Sequence, residues 1–75
     1  MNVKCIKLED GITYMVIDEI DDKNNTYVYL SNIEDDEDFC IRKVDNIRNS
    51  ELLVGLDSDE EFDNALLLYT RKNHQ

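Results

Sequence analysis

Apolar and polar residues alternate in short runs along most of the chain, and the period changes once, near the C-terminus. Residues 3–8, VKCIKL, are rich in strand formers, and Glu9-Asp10-Gly11 after them is turn chemistry. ITYMVIDEI, residues 12–20, is dense in β-branched and aromatic side chains and is ended by DDKNN at 21–25. TYVYLSNI at 26–33 has the same character, and FCIRKV at 39–44 and ELLVG at 51–55 supply two further short runs. The connections are too short for crossover helices, so strands over about 3–8, 12–20, 26–33, 39–44 and 51–55 should be antiparallel neighbours in a meander.

The period then becomes helical. SDEEFDNALLLYTRK begins with Ser58 and has Glu61 three residues later, the capping-box pattern. Asp59, Glu60 and Glu61 stand in the first turn and Arg71 and Lys72 in the last, each opposing the nearer end of the helix dipole. A helix over about 59–72 places Phe62, Ala65, Leu66 and Tyr69 in one stripe roughly 100° wide, with Leu68 on its flank. Leu67 falls roughly 140° from Phe62, away from that stripe.

The pattern therefore predicts an α+β fold in one small domain, residues 1–75: an antiparallel β-meander of four to five strands covered on one face by a C-terminal α-helix. The second and third strands are apolar on both faces. Ile12, Tyr14 and Val16 oppose Met15 and Ile17, and Tyr27 and Tyr29 oppose Val28 and Leu30. One helix covers one face, so the other must curl on itself, be capped by the N-terminal segment or loops, or meet another molecule. Tyr27, Tyr29 and Leu67 are the candidate apolar interaction surface, and a homodimer is one way to use it.

Composition sharpens the picture. The 75 residues carry eight basic and eighteen acidic side chains, a net charge of −10. Such a field repels nucleic-acid backbones and anionic membranes, so neither is an expected direct partner. Apolar residues make up 41% of the chain, enough for one small core. Cys5 and Cys40 sit in apolar runs without CxxC spacing and read as small buried hydrophobes. The first residues lack a signal-like apolar stretch, because Lys4, Lys7, Glu9 and Asp10 interrupt it, and no run is long enough to cross a membrane. A cytoplasmic location is expected.

Candidate chemistry is sparse. His74, the only histidine, lies one residue from the end of the chain, so a histidine-based general base or nucleophilic relay lacks its central member. DSDEEF opens like a calcium loop at Asp57 and Asp59, but Phe62 stands where the turn needs glycine and Leu68 where it needs the final glutamate. The expectation is no catalysis, no cofactor and no metal. The acids themselves, Asp21, Asp22, Glu34, Asp35, Asp36, Glu37, Asp38, Asp59, Glu60, Glu61 and Asp63, are the candidate acidic interaction surface. The run EDDED at 34–38 reads as a solvated hairpin connection between two strands.

The order of these features, YMVIDEI, then TYVYLSN, then EDFCIRKV, then LLVGLDSDEEFDNALLLY, resembles the YrzB-like family of small acidic Gram-positive bacterial proteins, a domain of unknown function. The resemblance spans about residues 12–72. It implies a cytosolic bacterial protein and carries no catalytic or binding residues. Two functions follow as expectations. The first is a non-enzymatic protein acting by protein–protein interaction, its partner presenting a basic or apolar surface. The second is a nucleic-acid mimic inhibiting a DNA- or RNA-binding protein, of phage origin and anti-restriction or anti-CRISPR type, and it requires the carboxylates to converge on one side.

Overall fold

A computed structural model describes residues 4–47 and 50–73. The expectations for Val3 and His74 lie outside the described residues. Among the described residues five strands and one helix follow in order: β1 (Cys5–Lys7), β2 (Thr13–Asp22), β3 (Asn25–Asn32), β4 (Asp35–Ile47), β5 (Ser50–Val54) and α1 (Asp59–Asn73). The strands form one antiparallel sheet in the order β1-β2-β3-β4-β5. The α+β meander predicted from the sequence is the observed architecture.

Turn chemistry sets the first hairpin. The Gly11 amide donates to the Leu8 carbonyl at 2.9 Å, and the Leu8 amide donates to the Ile12 carbonyl at 3.1 Å. Gly11 sits at φ 81, a left-handed conformation that a side chain would strain. The second hairpin is tighter than DDKNN suggests. Asp21 and Asp22 belong to β2, Asp22 pairs with Asn25, and only Lys23 and Asn24 turn the chain.

The two sheet faces separate cleanly through β3. Tyr27 and Tyr29 point toward α1, where they pack with Ile41 and Ala65, and Ile20, Phe39, Leu56, Leu68 and Tyr69 close around them. Val28 and Leu30 point the other way, where they pack with Leu8 and Tyr14, flanked by Ile6, Val16, Cys40, Val44 and Leu53. Tyr29 and Leu30, neighbours in sequence, are both fully buried on opposite faces. That second core draws side chains from every strand, so the sheet is curled into a half-barrel whose inner wall it forms.

A bulge helps this curl. Val16 pairs with Leu30 but Asp18 pairs with Tyr29, leaving Ile17 as the extra residue in β2. Before the bulge, Tyr14 and Val16 serve the inner wall. After it, Asp18 and Ile20 lie on the α1 face.

The helix lies differently from the stripe expected of it. Ala65 is fully buried, and Leu68 and Tyr69 are partly buried, while Phe62 and Leu66 sit at the exposed margin. The contacting face runs through Glu61, Ala65, Leu68, Tyr69 and Lys72, a rotation of roughly 70° from the predicted stripe. Polar contacts at both ends explain the rotation. Glu61 meets Lys43 of β4 at 3.0 Å, and Lys72 meets Asp18 of β2 at 2.6 Å. Between them the small Ala65 lets the helix backbone approach the sheet, where the Tyr29 hydroxyl donates to the Ala65 carbonyl at 2.6 Å. Tyr69 stacks on Tyr29 with ring centroids 5.0 Å apart.

Candidate interaction surfaces

Three surfaces follow from this fold: the acidic ends of the sheet, the outer side of α1, and the open inner wall of the half-barrel. The acidic run at 34–38 is not a free loop. Only Ile33 and Glu34 form the turn, and β4 already begins at Asp35, which pairs with Asn32. The next paired residues are Ser31 and Phe39, so Asp36, Glu37 and Asp38 form an acidic bulge without β3 partners. Asp38 anchors it: its carboxylate accepts from the Tyr14 hydroxyl at 2.9 Å and from the Asn32 amide nitrogen Nδ2 at 3.1 Å. That hydrogen bond, with burial behind it, pushes the Tyr14 phenol up to about 12. Glu34, Asp35, Asp36 and Glu37 remain exposed.

The start of α1 holds a second anchored acid. The Glu61 carboxylate accepts from the Asp57 amide at 2.6 Å, from Lys43 Nζ at 3.0 Å and from the Tyr27 hydroxyl at 2.9 Å. The Asp57 amide bond chiefly holds its carboxyl below the ordinary range, against the effect of burial and with help from Lys43 and Tyr27. Ser58 caps as expected, accepting from the Glu61 amide at 3.1 Å, while Glu61 reaches back to Asp57 rather than to the cap residue itself. Lys43 is pushed up by Glu61 and then by Asp57, which it also meets at 3.1 Å. At the other end of the helix, burial raises the Asp18 carboxyl, but hydrogen bonds from Lys72, Asn73 and the Glu19 amide outweigh it and the net shift is downward.

The acids therefore do not converge as one band. Asp21 and Asp22 stand at the β2–β3 turn, and residues 34–38 stand at the β3–β4 turn, with roughly 24 Å of β3 between them. Asn24 and Asn25 share a depression with Lys43, Val54 and Asp57, which puts the Asp21–Asp22 end beside the start of α1. Asp59, Glu60 and Asp63 are exposed there. Of the acidic candidates, Asp38 and Glu61 hold the fold together, and Asp21 accepts from Thr26 Oγ1 at 2.7 Å beside the hairpin turn.

The apolar candidates need a larger correction. Tyr27 and Tyr29 are not on the uncovered face: they lie beneath α1, 5% and 0% exposed, with both hydroxyls bonded to the helix. Burial first, then the Glu61 hydrogen bond, raises the Tyr27 phenol, and burial pushes Tyr29 up to about 12. They cannot contact a partner without removing the helix. Leu67 is exposed on the outer side of α1, as expected.

The uncovered face instead mixes aliphatic and polar side chains. Lys4, Ile6, Val16, Glu19, Thr26, Val28, Val44, Asn46 and Leu53 line an open trough of about 350 Å³ along the inner wall. Residues from both edge strands, Ile6 of β1 and Leu53 of β5, look into it. Leu8 closes one end against Tyr14 and Leu30, beside an Arg42–Glu9 contact at 3.8 Å. The apolar residues on both faces of β2 and β3 are the sequence signal for this wall. Curling, with help from the N-terminal segment, is how most of it is buried.

Cys5 and Cys40 are free thiols on opposite faces of the sheet, opposite Met15 and Leu30 respectively. Cys40 is partly buried, which raises its thiol, but Cys5 is exposed on the short edge strand β1 and not buried as expected. Among the described residues, no group of three or more His, Cys, Asp and Glu side chains could hold a metal ion. No helix among them is long and apolar enough to cross a membrane. Comparison with family models, with curated proteins and with solved structures finds no match for this chain.

Proposed function

We propose that this is a non-enzymatic protein that acts by binding another protein, and that the trough is the surface it uses. The observation that carries this reading is the incomplete closure of the half-barrel. Ile6, Val16, Val44 and Leu53 form an apolar wall that the sheet's curl leaves open, with Lys4, Glu19, Thr26 and Asn46 lining the same trough. Apolar floors with a few polar groups at the edge suit side chains of a partner better than phosphates or metals. The separation of the acids onto opposite ends of β3 weighs against the nucleic-acid mimic, which needs one continuous display. A cytoplasmic setting and kinship with the YrzB-like proteins belong to the same proposal, carried by the resemblance of residues 12–72.

The test is capture of partners from a bacterial lysate by the wild-type chain and by two trough variants, Leu53→Asp and Glu19→Lys. Binding through the trough predicts that one partner is lost with both variants and kept at high salt. A partner retained by both variants, released by salt and displaced by DNA would establish the mimic instead. Glu19 is exposed, so its variant should fold even if Leu53→Asp does not.

A further inference from the structure

The two edges of the sheet are guarded unequally. β1 spans three residues, ends in the exposed Lys7 and is preceded by the exposed Lys4. Short length and lysines are the usual protections of a strand edge. β5 spans five residues, and its Leu52, Leu53 and Val54 are consecutive apolar residues, with Leu52 48% exposed. Among the described residues its outer edge has no neighbour in the sheet order, and Leu53 opens directly onto the trough. An open edge with consecutive apolar residues, beside a trough whose wall includes aliphatic side chains, is an arrangement that suits strand addition.

Charge selects what can add there. The chain carries −10 overall, so a second copy would meet a like-charged field. On β4, Asp45 lies opposite Leu52 and Val44 opposite Leu53. The face bearing Leu52 is therefore acidic, and the face bearing Leu53 is apolar. Lys43, opposite Val54, is already paired with Asp57 and Glu61. At β1, by contrast, Lys4 and Lys7 would repel one. Building on the proposed function, we infer that β5 receives an extended partner segment as a sixth strand, with alternate apolar side chains directed into the trough and the intervening basic side chains toward Asp45.

A short synthetic peptide alternating valine with lysine is the probe. Fluorescence anisotropy should show it binding the full chain, and NMR should show the amides of Leu52, Leu53 and Val54 shifting most. The same peptide N-methylated along one edge keeps its charge and side chains but cannot extend the ladder. It should bind roughly tenfold more weakly or worse, as should the unmodified peptide to Leu52→Lys. Equal binding of the N-methylated peptide, shifts centred on β1 or on residues 34–38, or no binding at all would overturn the inference. So would sedimentation showing a dimer that Leu52→Lys dissociates, since β5 would then hold a second copy. Loss of the lysate partner with Glu19→Lys alongside any of these results would leave the trough reading standing while removing strand addition.

Discussion

On one face of β3, Tyr27 and Tyr29 are sealed by α1 and their hydroxyls are tied to it. On the other face, Val28 and Leu30 are sealed only by the curl of the sheet and by Leu8. The first core is polar at its margin and fixed by directional contacts, including Glu61–Lys43 and Lys72–Asp18. The second is mainly aliphatic, with the Tyr14–Asp38 hydrogen bond at one end, and is open along part of its length. A small chain gains rigidity where it spends a helix. Where it spends only curvature it keeps an accessible apolar wall.

The largest expected effect tests whether the aliphatic side is a true core. Leu30→Ala should destabilise the protein by about 2–5 kcal/mol, because the side chain is fully buried and the rigid sheet cannot collapse into the space. Chemical denaturation measures it. A cost well under that range would mean that water enters the whole inner wall.

Next comes pH, which loads both cores through their tyrosines. Tyr14 and Tyr29 have phenols raised from 10.0 to about 12, so their contribution is complete below pH 10 and is lost as pH rises toward 12. Absorbance of the phenolates should appear together with loss of the circular dichroism signal of the folded sheet. On the acid side the sign reverses. Glu61 and Asp18 are lowered from 4.5 and 3.8, so their contribution is present above those values and is lost as pH falls below them.

Smaller still is Tyr29→Phe, which keeps the ring stacked on Tyr69 and removes only the donor to the Ala65 carbonyl. The expected loss is about 1 kcal/mol by denaturant midpoint, with the slope unchanged. Leu67→Glu should change stability by less than about 0.5 kcal/mol, since that side chain is exposed on the outer side of α1. If Leu67→Glu instead removes the lysate partner, the outer side of the helix and not the trough is the binding surface.

Much of this architecture was legible in the sequence because its signals are local. β-branched runs, the Asp10-Gly11 turn and the Ser58 cap each act within a few residues, and the meander follows from short connections. What escaped depends on contacts distant in sequence. Residues 34–38 read as a loop because aspartate and glutamate disfavour strands, yet Asp38 is held by Tyr14 from two strands away. The stripe on α1 was rotated because Lys43 and Asp18, remote in the chain, fix Glu61 and Lys72. Tyr27 and Tyr29 and their neighbours Val28 and Leu30 are equally apolar, so alternation alone could not say which pair the helix takes. The trough depends on how far the sheet curls, and curvature has no residue-by-residue signature beyond an apolar face left without a cover.

The bulge at Ile17 bears on how the shape of this protein can vary by descent. Because the extra residue stands between Val16 and Asp18, a deletion of that single codon would join two residues already paired with consecutive positions of β3. Every remaining side chain would keep the face it now occupies, and both cores would keep their members. Only the bend would go. A chain that can lose or regain one codon without scrambling its interior has an easy route to widen or narrow its open wall.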